Sequence, residues 1–204
     1  MTNPPATPTP PAPPLFQIIG VKNLSRQEQA DWWEAIQADR VARTTLFSLR
    51  EEQKTFQWWA EMAVWPGYDL NVVYLGLPAS ATKPSAGLSS AGYGPGDSRA
   101  GLKKLAYFWV NKWAGRGAYL HFGFLEAGLP WKMEVGRHVL KILGEAGYRC
   151  LAGLTPVFNH HVVAYGLALG ATLMGRWPGV CYLAARDEFV DGVLLQFIVN
   201  DKED

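Results

Sequence analysis

From Leu151 to Gly175 the chain runs without a single Asp, Glu, Lys or Arg. A stretch of that length can cross a bilayer as a helix. Thr155-Pro156, followed by Asn159, His160 and His161, interrupts it with turn and polar chemistry. A lipid core offers such groups no partners. The stretch therefore predicts a buried strand, a turn and a helix inside a globular fold. Composition agrees, since 204 residues at 49% hydrophobic and 13% aromatic suffice for one real core.

Charge narrows the function classes. With 19 Lys+Arg against 18 Asp+Glu, the chain lacks the basic surplus that phosphate backbones demand, so nucleic acid is not an expected partner. Lys103, Lys104, Lys112 and Arg116 read as a solvated edge that discourages strand pairing. Cys150 and Cys181 sit in apolar surroundings without metal-ligand spacing and read as free thiols of a reducing cytosol. The start shows prolines rather than a secretory signal, so the expected location is cytoplasmic, with no membrane partner. Residues 1–14 hold seven prolines and read as an extended, disordered tail. Residues 15–204 form the expected single domain.

Periodicity sets the order of elements. Leu15 to Ile19 reads as a strand. Ser25-Arg26-Gln27-Glu28 is a capping-box pattern opening a helix that carries Trp32, Trp33 and Ile36 to about Arg43. Ser48-Leu49-Arg50-Glu51 repeats the pattern and predicts a second helix there. Phe56, Trp59, Ala60 and Ala63 form its apolar face. Asn71 to Leu75 is a strand, and Pro78 to Gly101 a long small-residue loop, disordered or a flap. Strands follow at Leu105 to Val110 and Ala118 to Leu125, joined by a turn over Asn111 to Arg116. A helix from about Trp131 to Ala146 buries a stripe of Val135, Val139, Ile142 and Ala146 and stops at Gly147. Cys150 to Leu154 is a strand, and Asn159 to Leu169 a helix with Asn159 as N-cap. Val180 to Ala184 and Val193 to Val199 close the chain. The order β-α-α-β-β-β-α-β-α-β-β implies an α/β (α+β) domain with a mixed, mostly antiparallel sheet and helices on both faces.

This order, and the residues after the fourth strand, resemble the GNAT superfamily of acyl-CoA-dependent N-acyltransferases. The strand Ala118 to Leu125 leads into a helix containing Gly136, where the family carries a Gln/Arg-x-x-Gly-x-Gly/Ala loop. Leu154-Thr155-Pro156, then Asn159, Leu169 and Gly170, looks like the family's strand followed by Asn…Leu-Gly. Val190-Asp191-Gly192 fits a closing hairpin. The resemblance implies acetyl-CoA or another acyl-CoA as co-substrate, an amine as acceptor and no metal. It places the pyrophosphate at the helix N-terminus, where unpaired donors and the dipole favour an anion. The implied cofactor contacts are Met133, Val135, Gly136, Arg137, His138 and Asn159, with Phe124 and Leu125 as backbone donors to the acyl oxygen. Only the central glycine of the phosphate-loop motif is kept, and Glu134 brings a carboxylate into it.

Such a transfer needs a base for the amine and an acid for the thiolate. Glu126, at the end of the fourth strand, and His121 within it are the base candidates. Tyr165 is the candidate acid, one residue before Gly166, where the family's tyrosine would fall. His160-His161 lack the further ligands of a metal site. The competing expectation is a GNAT-like binding or structural protein that has lost catalysis. An exposed sheet edge and abundant aromatics leave room for a homodimer.

Overall fold

The computed structural model describes residues 16–46, 48–76 and 102–199. The proline-rich start and the Pro78–Gly101 segment lie outside the described residues. The elements are β1 (Phe16–Gly20), α1 (Arg26–Ala38), α2 (Phe56–Met62), β2 (Tyr68–Leu75), β3 (Lys103–Ala114), β4 (Gly117–Phe124), α3 (Lys132–Glu145), β5 (Cys150–Pro156), α4 (His160–Ala168), β6 (Thr172–Leu183) and β7 (Glu188–Ile198). This is the order the sequence predicts.

The strands form one seven-stranded sheet in the order β1-β2-β3-β4-β5-β7-β6. Every adjacent pair is antiparallel except β4 and β5, which run parallel with α3 as their crossover. Helices α1 and α2 cover one face around Trp32, Trp33, Trp59, Val72 and Tyr107. The other face carries α3 over Phe108, Val135, Val139 and Leu151. Trp32 is fully buried, and its indole N–H donates to the Tyr74 hydroxyl at 2.7 Å, so the polar end of a large core residue is satisfied.

Local chemistry explains the element starts. At α1 the capping box is complete: Glu28 N–H donates to Ser25 Oγ at 3.3 Å, and Ser25 N–H donates to Glu28 Oε2 at 2.9 Å. The second box does not form. Residues 42–46 and 51–53 make short 3-10 turns, and α2 begins only after Thr55, whose hydroxyl accepts from the Trp58 N–H at 3.1 Å. The expected apolar face of α2 is real, with Trp59, Ala60 and Ala63 buried.

Three further expectations need correction. The β3–β4 turn is two residues, Gly115 and Arg116, because β3 continues to Ala114. The buried stripe of α3 is Val135, Gly136, Val139, Leu143 and Gly144, with Ala146 exposed beyond the helix end. β6 starts at Thr172 rather than Val180, tolerating Gly175 and Pro178 because it is an edge strand with breaks in its ladder.

Candidate active site

The parallel ladder between β4 and β5 is short. It pairs Gly117 to Tyr119 with Cys150 to Ala152 and then ends, while both strands continue. Beyond that point lies a cleft of about 380 Å³. Leu120, His121, Phe122 and Phe124 wall it from β4, and Gly153, Leu154 and Thr155 wall it from β5. Val41, Thr44 and Thr45 close one mouth, while Lys132 and Gly136 from α3, Asn159 just before α4, and His161 and Tyr165 from α4 line the other.

The β3–β4 register fixes which backbone groups face the gap. Leu125 N–H donates to the Leu105 carbonyl at 2.9 Å, and Ala106 lies opposite Phe124. Bonded and non-bonded pairs alternate along an antiparallel ladder. Phe124, Phe122 and Leu120 therefore turn their N–H and C=O groups away from β3, toward the gap. Of the two backbone donors anticipated for an acyl oxygen, Phe124 is directed into the cleft. Leu125 is not, since its N–H is already bonded to Leu105.

The side chains divide between the two faces. His121 is half-buried on the α1–α2 face, stacked on Trp109 with ring centres 4.6 Å apart and planes 5° from parallel. Its Nε2 stands 3.5 Å from the Asn111 amide nitrogen. Burial pulls its pKa down to about 4, so the imidazole is neutral at pH 7. Phe122 and Phe124 point to the other face and pack on Tyr165, with ring centres 6.5 and 5.6 Å away. Burial pushes the Tyr165 phenol well above its usual range, so it stays protonated, and its hydroxyl donates to the Lys132 carbonyl at 2.8 Å. The cleft thus joins a neutral nitrogen base on one face to a protonated phenol on the other.

Gly136 has a packing role. A Cβ there would stand 2.3 Å from Tyr165 Oη and 2.7 Å from Leu169 Cδ1. The glycine lets α3 and α4 approach, and so sets the tyrosine against the cleft. Asn159 precedes α4 as expected and lines the cleft, but its side chain makes no capping hydrogen bond.

Other anticipated residues lie elsewhere. Glu126 is exposed in a 3-10 turn spanning Glu126–Trp131, 3.6 Å from Arg40, and does not line the cleft. Val135 is fully buried, Arg137 is exposed, and His138 packs on Phe16 at 5.7 Å. Met133 is half-buried and outside the lining. The reason is helical geometry: α3 turns Gly136 and Leu140 to the cleft and Val135 and Val139 to the sheet. Thr44, Thr45, Trp109, Lys132, Gly153 and His161 line the cleft without having been singled out as site residues. For Trp109 a signal exists only in the register that sets it opposite His121.

No family model matches the chain, and no curated protein matches it. Solved structures do. A ribosomal-protein-S5-alanine acetyltransferase from Vibrio fischeri superposes with a TM-score of 0.61 at 10% identity, covering 93% of this chain and 96% of that one. A spermidine N-acetyltransferase from Vibrio cholerae, in complex with CoA and spermine, gives 0.62 at 8% identity over 90% and 95%. A probable acetyltransferase of the GNAT family from Chromobacterium violaceum gives 0.60 at 14% identity over 90% and 86%.

Proposed function

We propose that this chain, which carries the fold of the GNAT acetyltransferases, transfers an acyl group from an acyl-coenzyme A to an amine. The observation that carries this reading is the cleft through the β4–β5 splay, with His121 on one face and Tyr165 on the other. An acyl-coenzyme A would supply an activated thioester carbonyl. The residues present fit it: an extended amide-bearing arm can pair with the outward N–H and C=O groups of Leu120, Phe122 and Phe124, as an added strand would. Lys132 and Asn159 stand at the α3–α4 mouth to meet its polar end.

The chain's own groups then have definite tasks. His121, neutral, accepts a hydrogen bond from the amine N–H, which leaves the amine's own lone pair free to attack. Phe124 N–H donates to the oxygen on which charge develops. Tyr165 Oη holds a proton beside the α3–α4 wall and can release it to a departing sulfur. The amine nitrogen forms the new amide bond while the carbon–sulfur bond breaks. The proton that leaves nitrogen passes to His121, and the one that ends on sulfur comes from Tyr165, which regains a proton from solvent.

The test is calorimetric titration of acetyl-coenzyme A into the full chain and into Gly153→Ile. A Cβ on Gly153 meets nothing nearer than the Leu120 carbonyl oxygen at 4.0 Å, and a branched side chain suits a strand. The variant should fold and fill the cleft. Micromolar binding abolished by Gly153→Ile is the expected result. No heat from the parent chain, with an unchanged melting temperature, overturns the reading.

A further inference from the structure

The mouth on the α1–α2 face has a chemistry of its own. Among the described residues lining the cleft none is Asp or Glu, and the one fixed charge is the cation Lys132. Carboxylates do stand close behind this mouth, but their partners are already in place. Asp39 accepts from the Val41 and Ala42 N–H groups at 2.8 and 3.0 Å through one oxygen, and from the Glu126 N–H at 2.7 Å through the other. Glu126 is itself beside Arg40.

What the mouth offers instead is apolar and aromatic. Trp109 and His121 stack with ring centres 4.6 Å apart, backed by the fully buried Tyr107, whose ring lies 6.3 Å from that of Trp109. Val41, Thr44 and Thr45 line the same cleft, and the hydroxyls of Thr44 and Thr45 already donate to the Val41 and Ala42 carbonyls at 2.7 Å. Desolvating a second ammonium here, with no Asp or Glu among the described lining residues to pair it, carries a penalty that no ion pair offsets. An apolar or aromatic body gains from the same surfaces.

Resting on the acyltransferase reading, we propose that the acceptor is a monoamine carried on an apolar or aromatic body. It enters across Val41, Thr44, Thr45, Trp109 and His121, and polyamines are excluded. The acceptor chemistry thus departs from the spermine held in the Vibrio cholerae neighbour.

The experiment titrates 2-phenylethylamine, spermidine and acetyl-coenzyme A separately into the full chain, and repeats the amines with coenzyme A present. Phenylethylamine should bind at least about tenfold more tightly than spermidine. Thr44→Asp, at an exposed lining position, places a carboxylate at the mouth. It should move that ratio toward spermidine by about tenfold. Spermidine bound as tightly as phenylethylamine by the parent chain overturns the inference. So does the failure of both amines while acetyl-coenzyme A binds, and so does a ratio that Thr44→Asp leaves unmoved. If phenylethylamine binds and acetyl-coenzyme A does not, the transferase reading falls while the ligand class of this mouth stands.

Discussion

Acidification should destabilise this protein through His121, and the size follows from its surroundings. Above pH 6.5 the imidazole is neutral in both folded and unfolded chains and contributes no pH dependence. As the pH falls below 6.5 the unfolded chain takes up a proton that the folded one refuses until about pH 4. Stability is then lost at ~1.4 kcal/mol per pH unit, up to ~3 kcal/mol at full effect. The ring is half-buried, so solvent screening brings the expected loss nearer ~2 kcal/mol. Carboxylates also titrate in this window, which makes the difference from a non-titrating variant the useful quantity. His121→Gln keeps a hydrogen-bonding side chain opposite Asn111 and removes the titration. Urea unfolding of both proteins at pH 7, 6, 5 and 4.5, with the linear slope checked for constancy, gives that difference directly. The parent should lose stability relative to the variant steadily below pH 6.5. Parallel curves would mean that the imidazole charges as readily in the folded state as in the unfolded one, and would refute the burial argument.

Tyr165→Phe removes a proton donor but little volume, so acetyl-coenzyme A binding should persist while kcat falls by about 100-fold or more; equal turnover in single-turnover kinetics counts against Tyr165 as the acid. Gly136→Ala should cost about 1–3 kcal/mol in denaturant unfolding, because its Cβ would stand 2.3 Å from Tyr165 Oη, whereas a neutral result would mean that α3 and α4 part without penalty. Ser25→Ala breaks a complete capping box and should lower stability by about 1 kcal/mol, measured the same way. Trp32→Phe leaves the buried Tyr74 hydroxyl without its 2.7 Å donor and should cost about 1–3 kcal/mol, visible as a lowered melting temperature.

The order of elements was legible because each segment carries its own periodicity, and fold class follows from order. The first capping box was legible because the apolar face of α1 begins at once behind it. The second was not: Ser48 and Glu51 have the right spacing, but the apolar face starts at Phe56, and Thr55 supplies the cap instead. β6 was misread for the opposite reason. Gly175, Pro178 and Gly179 are turn residues by local rules, yet the edge strand absorbs them between Leu173 and Gly175 and between Trp177 and Cys181. At the site, the GNAT resemblance led to Phe124, Gly136, Asn159 and Tyr165, with His121 read from its place in the strand, and all five line the cleft. It also drew in Val135 and His138, because a motif specifies positions along the chain and not which side of α3 they occupy. Trp109 and Thr44 come to the cleft only through pairing and packing distant in sequence, which no single stretch encodes.

The parallel pair is also why this sheet has a cleft at all. β4 and β5 meet over three residue pairs at one end, and β5 then runs with β7 alone. Backbone groups left without partners in a dry interior cost about 1–3 kcal/mol each, so the outward groups of Leu120, Phe122 and Phe124 are tolerable only where water or a ligand bonds them. Gly153 across the gap presents no side chain and leaves that edge accessible. Strand alternation supplies the rest, since odd-numbered side chains of β4 go to the face with Trp109 and even-numbered ones to the face with Tyr165. A ligand lying against β4 therefore meets His121 from one side and the phenol from the other. Ligands approaching through opposite faces of a sheet can meet only where the sheet itself is open, and in this chain that place begins after Tyr119.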